Sequence, residues 1–365
     1  MRLDFFPSRT LTLYLARLFV TRVLAVLVML VLVLQMLDLL GESGKILSHP
    51  GNGEAELLRY VSLRMPQLVA RFLPYSALLA TIITLATLNQ NSEVIAMKAA
   101  GMSAHQVLAP LILAAMAVAC VSFAFNERVV TRATATLAAW KDTEYGPVPE
   151  DSGIRRNVYF ADGTNILTAE TLTGEGANVV MQGVTFYRRD ANAMIVEQLR
   201  SPRATFADPG WRLERPTRFA VQTAQTQQLQ PIVVAEGITP DQVAISGVNA
   251  DAQNVIELRR SIDLLDDAGR RTEELEGKWW HKFSGPLSAV LMPLLGAVAA
   301  FGLARSGQLF VRAVIGMALG FAYFVVDNAA LAMGNFGSYP PLLAAWAPFL
   351  LFFLIGETVL VRTEE

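Results

Sequence analysis

The sequence predicts a helical membrane protein of six transmembrane helices with one all-β domain inserted at its middle. Three observations carry that prediction. Of 365 residues, 53% are hydrophobic and only 17% charged, where a soluble globular chain has about a quarter charged. The charge is uneven: uncharged runs crowd both ends, while residues 126–282 have the composition of an ordinary soluble domain. Within that middle, alternating runs recur about every ten residues with Gly or Pro between them, the pattern of a strand sandwich or open barrel.

A bilayer core takes about 20 mostly apolar residues per helix, and six stretches meet that length. Residues 18–37 hold one charge, Arg22; 72–88, 107–125 and 283–304 hold none; 313–333 hold only Asp327 and 341–361 only Glu357. The first is too long for a cleaved leader and lacks a small-residue cleavage site after it. Lys and Arg near the span ends set the orientation. Arg2, Arg9, Arg17 and Arg22 precede or open the first span, Arg305 and Arg312 join spans four and five, and Arg362 follows span six. The loop at 334–340 has no basic residue. Both termini are therefore expected in the cytoplasm, and residues 126–282 outside, in the periplasm of a bacterium. The 38–67 loop, also outside, runs against the bias with Lys45, Arg59 and Arg64.

In the soluble middle, strands are expected over 158–161, 165–169, 179–188, 194–199, 204–207, 211–214, 219–223 and 231–235. Asp162-Gly163 suits a tight hairpin turn. Alternation points Phe160, Ile166, Val184, Phe186, Val196, Phe206, Trp211 and Phe219 inwards, as core or, if the domain holds an open groove, as an acyl-chain path. Helices are expected over 131–141 and 255–265. Trp279, Trp280, His281 and Lys282 fall where a helix re-enters the headgroups, as in an aromatic belt.

Several classes of function are disfavoured. A net charge of -2 gives no reason to expect nucleic acid. The single Cys120 forms no internal disulfide, and three scattered histidines (His49, His105, His281) do not make a zinc site. Gly41-Glu42-Ser43-Gly44-Lys45 has a P-loop look, but lacks the first glycine at the required spacing and carries Ile46 after the lysine. No nucleophile elbow or zinc-protease motif occurs. No catalytic residue, metal or cofactor is therefore expected.

The most informative short segment is the cytoplasmic loop at 89–106. Ser92 is suited to cap a helix, Glu93 to sit at its positive end, Gly101 to close it in a left-handed conformation, and Ser103 to cap the next. A helix of about two turns between two spans follows from those signals. Its small residues Ala96, Ala99 and Ala100 permit close approach by another protein, or merely a tight hairpin. Glu93 serves as a helix-end anion or as a contact for a partner.

The stretch 92–101 resembles the Ser-Glu-x-x-x-Met-x-Ala-x-Gly segment of the YjgP/YjgQ permease family of the lipopolysaccharide export transporter. Gly320-Phe321-Ala322-Tyr323-Phe324-Val325-Val326-Asp327-Asn328 and the run 340–348 are similar to it as well, with weaker matches at Ile238-Thr239-Pro240-Asp241 and Ile245-Ser246. The resemblance covers nearly the whole chain. It implies spans one to three with a coupling helix in residues 1–125, a periplasmic β-jellyroll-like domain in 126–282, and spans four to six in 283–365. It also implies a heterodimer with an LptF-like permease, an LptB-like ATPase dimer docked beneath, and an LptC-like periplasmic bridge protein. Ser92, Glu93, Met97, Ala100 and Gly101 would couple to the ATPase, with Met97 as a flexible apolar contact.

The lipid carries phosphates on an amphiphilic body, so basic groups are expected at the outer rim of an apolar cavity. Lys45, Arg64, Arg71, Arg128 and Arg132 lie near the outer span ends, either for that purpose or as solvated charges. Asp38 matches the family's aspartate. Gln35 stands where the family often has a lysine, and Gly41 and Glu42 are not basic, so headgroup contacts are expected to differ. Asp327 serves span packing or transport. A membrane-anchored periplasmic sensor or assembly protein is the alternative to a permease, and an intramembrane enzyme is disfavoured.

Overall fold

The computed structural model describes residues 7–147, 155–162, 165–173, 179–190, 194–239, 249–267, 270–301 and 309–364. They form two compact units. The helical unit comprises Met1–Glu144, Ala250–Arg259 and Arg271–Glu365; the β unit comprises Tyr145–Asn249 and Arg260–Arg270.

The helical unit begins with α1 (Arg9–Ser48), α2 (Glu54–Gln90), the short α3 (Glu93–Ala99) and α4 (Ala104–Phe125). A π-turn over Asn126–Val130 joins α4 to α5 (Thr131–Asp142) without a break. After the β unit come α6 (Val255–Asp267), α7 (Glu273–Phe301), α8 (Leu309–Asn335) and α9 (Pro341–Glu364). Five segments are long and apolar enough to cross a membrane: Arg9–Ser48, Glu54–Gln90, Ala104–Asp142, Val314–Asn335 and Pro341–Arg362. The remaining expected span falls on α7; its last residues, 302–304, and Arg305 lie outside the described residues.

Packing in this unit follows helical spacing. Leu15, Phe19, Val23, Leu27 and Val31 recur every four residues of α1, stack on one face, and are at most 7% exposed. The opposite face leaves Leu24, Val28, Leu32 and Met36 open, which costs nothing where the surroundings are hydrocarbon. Helix α7 is the most enclosed, with Ala289, Leu291, Met292, Leu294, Leu295 and Ala297 buried in the main cluster. Two glycines permit close contact with α2: a Cβ on Gly296 would meet Thr81 at 2.8 Å, and one on Gly320 would collide with Leu78.

The β unit is one sheet of eight strands, ordered β1-β2-β3-β4-β5-β8 with a β6–β7 hairpin also on β4, and every described pairing is antiparallel. The strands are β1 (Arg155–Asp162), β2 (Asn165–Thr173), β3 (Val180–Arg189), β4 (Ile195–Ala207), β5 (Gly210–Glu214), β6 (Thr217–Ala220), β7 (Gln225–Gln228) and β8 (Ile232–Val234). The runs expected as two strands at 194–199 and 204–207 are one. On its second side β4 pairs first with β6 and then with β5, and Pro202 falls between the two segments, where neither partner needs its absent N–H. Strand β7 was not expected, because Gln-Thr-Gln-Gln carries no apolar alternation.

Three of the residues expected inside are placed differently. Phe160, Val184, Phe186 and Trp211 are buried, and Trp211 Nε1 donates to the carbonyl of Ile238 at 2.8 Å. On β2, however, Leu167, Ala169 and Leu172 face the core and Ile166 does not. Leu167 opposes Phe186, which opposes Leu199, so one inner row runs across three strands. Ile166 opposes Tyr187, which opposes Gln198, which opposes Phe219, so these lie on the other face. Val196 shares that face two residues from Gln198, and Phe219 is 37% exposed. Phe206 is half-buried, edge-on to Trp211. The weak motif matches at Pro240-Asp241 and Ile245-Ser246 lie outside the described residues.

Candidate functional site

Two places gather the residues that the sequence singles out, both within the helical unit. The first is α3. Its seven residues are closed by Gly101 at φ +84°, and Ser103 Oγ accepts the Gln106 N–H at 3.2 Å while the Gln106 side chain accepts the Ser103 N–H, a reciprocal cap on α4. Ser92 does not cap: it sits at φ 60°, and its side chain makes no bond to the first-turn amides. A cap of that kind needs an extended backbone at this position. Glu93 is held instead by its neighbours. The Tyr14 hydroxyl of α1 lies 3.1 and 3.4 Å from its two oxygens and donates to them, and Asn91 Nδ2 donates at 3.3 Å. Met97, expected as an outward contact, faces inward. It is buried with Val94 in the cluster that holds Leu15 and Phe19 of α1. The outward face carries Ile95, Ala96, Ala99 and Ala100, with Ile95 63% exposed.

The second place is a cleft of ≈ 580 Å³ walled by α2, the π-turn, α5, α7 and α8. Arg64, Arg71, Lys278 and Lys282 bring positive charge to it, and Leu68, Pro74, Phe324 and Leu331 supply apolar wall. Tyr75 and Phe324 stack at 3.8 Å between ring centres. Most of the charge is already matched. Arg64 meets both oxygens of Asp38 at 3.1 Å and donates to Gln67 at 2.6 Å, while the Tyr60 hydroxyl donates to Asp38 at 2.6 Å. Asp38 and Arg64, expected as separate lipid contacts, therefore bind each other, a bidentate geometry that suits guanidinium. Lys45 is exposed and pairs with Glu42 at 3.3 Å.

Arg71, Arg128 and Arg132 have no ion pair among the described residues. Only Arg71 lines the cleft; Asn126, Val130 and Thr134 do so from the π-turn and α5. Arg132 follows Val130 by two residues, about 200° around a helix, and so points away.

Two pairs at the cleft, each with one buried member, were not foreseen as pairs. His281 Nε2 lies 3.0 Å from Asp327 Oδ2, and Lys282 Nζ donates to Glu127 Oε1 at 3.3 Å. The second oxygen of Glu127 accepts the Val255 N–H at 2.6 Å, which ties the start of α6 to the π-turn. Ser284, three residues after His281, has a buried hydroxyl with no partner among the described residues. The cost of a lone acid within a span was the available signal for a partner to Asp327, but the sequence does not say which residue approaches it.

The model of the lipopolysaccharide export system permeases LptF/LptG matches residues 13–362. The chain belongs to this family. Its role therefore lies in lipopolysaccharide transport, as a transporter subunit, and it is a multi-pass inner-membrane protein. The LptG permease of Escherichia coli strain K12 is 25% identical over 328 residues, 87% of this chain and 89% of that protein. The LptG permease of Haemophilus influenzae is 22% identical over 313 residues, 84% and 86% of the two chains. As a member of the permease family, the chain combines apolar helices with an antiparallel β domain inserted mid-chain, as the sequence predicted.

Proposed function

We propose that this chain is the LptG-type half of a two-permease assembly that extracts lipopolysaccharide from the inner membrane and passes it by way of the β domain toward the outer membrane. A separate LptB-like ATPase dimer supplies the energy, an LptF-like permease completes the cavity, and an LptC-like protein receives the cargo. The chain itself is non-catalytic. Its termini lie in the cytoplasm, with residues 1–125 and 283–365 as the two membrane halves and 126–282 as the periplasmic insertion.

One observation carries the reading. A two-turn helix, α3, is wedged between two membrane helices with Val94 and Met97 sunk into the bundle and Ile95, Ala96, Ala99 and Ala100 turned out. A partner pressing on the outer face moves the helix as a rigid body, and the inner face conveys that movement to α1, α2 and α4. Glu93 at its start presents a carboxylate, and Ala100 and Gly101 shape the exit. In the cleft, Arg71 is the cation with spare donors for a lipid phosphate, and Arg64, steered by Asp38, is the second. Lys45, Arg128 and Arg132 serve the lipid only from outside the cleft.

The test is Glu93→Ala in the co-purified complex. Export of lipopolysaccharide per ATP hydrolysed should fall by about tenfold or more, the weight of a charge-assisted hydrogen bond of about 1.5–3 kcal/mol, with the melting temperature unchanged. Export at the wild-type ratio would remove Glu93 from the coupling path. Failure of any ATPase to co-purify with the wild-type chain would favour the sensor or assembly reading instead.

A further inference from the structure

We propose that the β unit holds a binding site for an acidic, hydroxyl-rich saccharide at one end of its sheet, built on Glu197, Arg188 and Arg218. Glu197 lies on the inner face of β4, alternating with Leu199 and Ser201, and is 7% exposed. Directly opposite it on β3 is Arg188, whose Nη1 donates to Oε2 at 2.9 Å. From the other side, Arg218 of β6 brings its Nε to Oε1. One buried carboxylate thus fixes two guanidinium groups, and the trio carries a net positive charge. Both arginines remain half exposed, and their other N–H groups have no partner among the described residues.

The trio borders a cleft of ≈ 740 Å³ whose remaining walls are Gln222, Thr223, Gln225, Thr226 and Gln227 of the β6–β7 hairpin, with Val196 and Ala220. None of those five polar side chains bonds to another described residue.

The chemistry of the lining selects the ligand. Only Val196 and Ala220 of the lining residues have apolar side chains, too few for an acyl-chain path, and the sheet interior behind it is filled by Phe186 and Leu199. Amides and hydroxyls supply donors and acceptors for sugar hydroxyls. The guanidinium forks suit a carboxylate or phosphate, and Glu197 orders them in advance, so binding does not bear that entropy. The class indicated is a sugar bearing carboxylate or phosphate. This deepens the proposed function and rests on it: the saccharide part of the cargo is read here, apart from the lipid part in the helical unit.

The test uses the full chain in nanodiscs of neutral phosphatidylcholine. The probe is the phosphorylated oligosaccharide released from lipopolysaccharide by mild acid, titrated calorimetrically against neutral maltohexaose and inorganic phosphate. Wild type should bind the acidic oligosaccharide at least tenfold more tightly than either comparison. Arg188→Gln and Arg218→Gln should each weaken it tenfold or more, and Arg218→Lys should recover part of the loss. Gln225→Ala and Gln227→Ala, which disturb no packed side chain, should weaken it about threefold and guard against a folding artefact. Equal binding of maltohexaose or of phosphate, or indifference to all these substitutions, overturns the site. Capture of intact lipopolysaccharide on the same discs separates the two levels. If intact lipid is captured while the oligosaccharide is not, the saccharide site falls and the transport reading stands; if neither is captured, the transport reading itself falls.

Discussion

The two units bury acids on different terms. In the helical unit Glu127 faces one cation, Lys282, and the buried Asp327 faces one imidazole, that of His281. In the β unit Glu197 holds two cations. Both oxygens of Glu127 are bonded, to Lys282 and to the Val255 N–H, which fits a joint between helices, whereas only one oxygen of Asp327 is bonded. A one-to-two arrangement is incomplete until an anion arrives. Glu93 is a third case, half-buried at the helix start, bonded to the neutral donors Tyr14 and Asn91 and with Arg22 near enough to feel its charge.

The comparison is broken most sharply at the helical pair. Lys282→Ala leaves Glu127 enclosed without its cation, and should cost about 3–5 kcal/mol, seen as a lower melting temperature in detergent. The double variant Lys282→Ala, Glu127→Gln should recover much of it; no recovery would mean that the pair is not the source.

A smaller effect sharpens the β side. Leu167→Ala should cost about 2–5 kcal/mol through the cavity it opens, and Ile166→Ala under about 1 kcal/mol. Equal costs would mean that the inner face, and with it the placement of Glu197, is misassigned. Smallest is Tyr14→Phe, which removes one hydrogen bond of about 0.5–1.5 kcal/mol. The chain should stay folded and the ATPase docked, while export per ATP falls a few-fold. An unchanged ratio would show that α1 takes no instruction from Glu93.

What was legible followed from demands a short window of residues can express. A span must avoid charge over about 20 residues, so the apolar stretches stood out. A left-handed closing residue favours glycine, and Gly101 takes that role, while Ser103 caps α4. Ser92 failed because capping depends on backbone angles as well as on a hydroxyl. On β2, Ile166 and Leu167 are adjacent and both apolar, so alternation alone cannot choose between the two phases; pairing with Phe186 on β3 decides. The site was harder to read, since its contacts join distant positions. Tyr14 meets Glu93 across 79 residues and Lys282 meets Glu127 across 155. Nothing local in the sequence encodes such meetings.

The π-turn at Asn126–Val130 sets the bearing of everything beyond it. Such a turn accommodates one surplus residue in a helix, which advances the angular phase by about 100°. That offset is what brings Leu137 and Trp140 of α5 to the interior, with Arg59 of α2 4.8 Å over the Trp140 ring. Shortening the turn by a single residue would leave the rod unbroken yet swing Trp140 out into the surroundings, so one peptide unit works here as an index pin between α4 and α5.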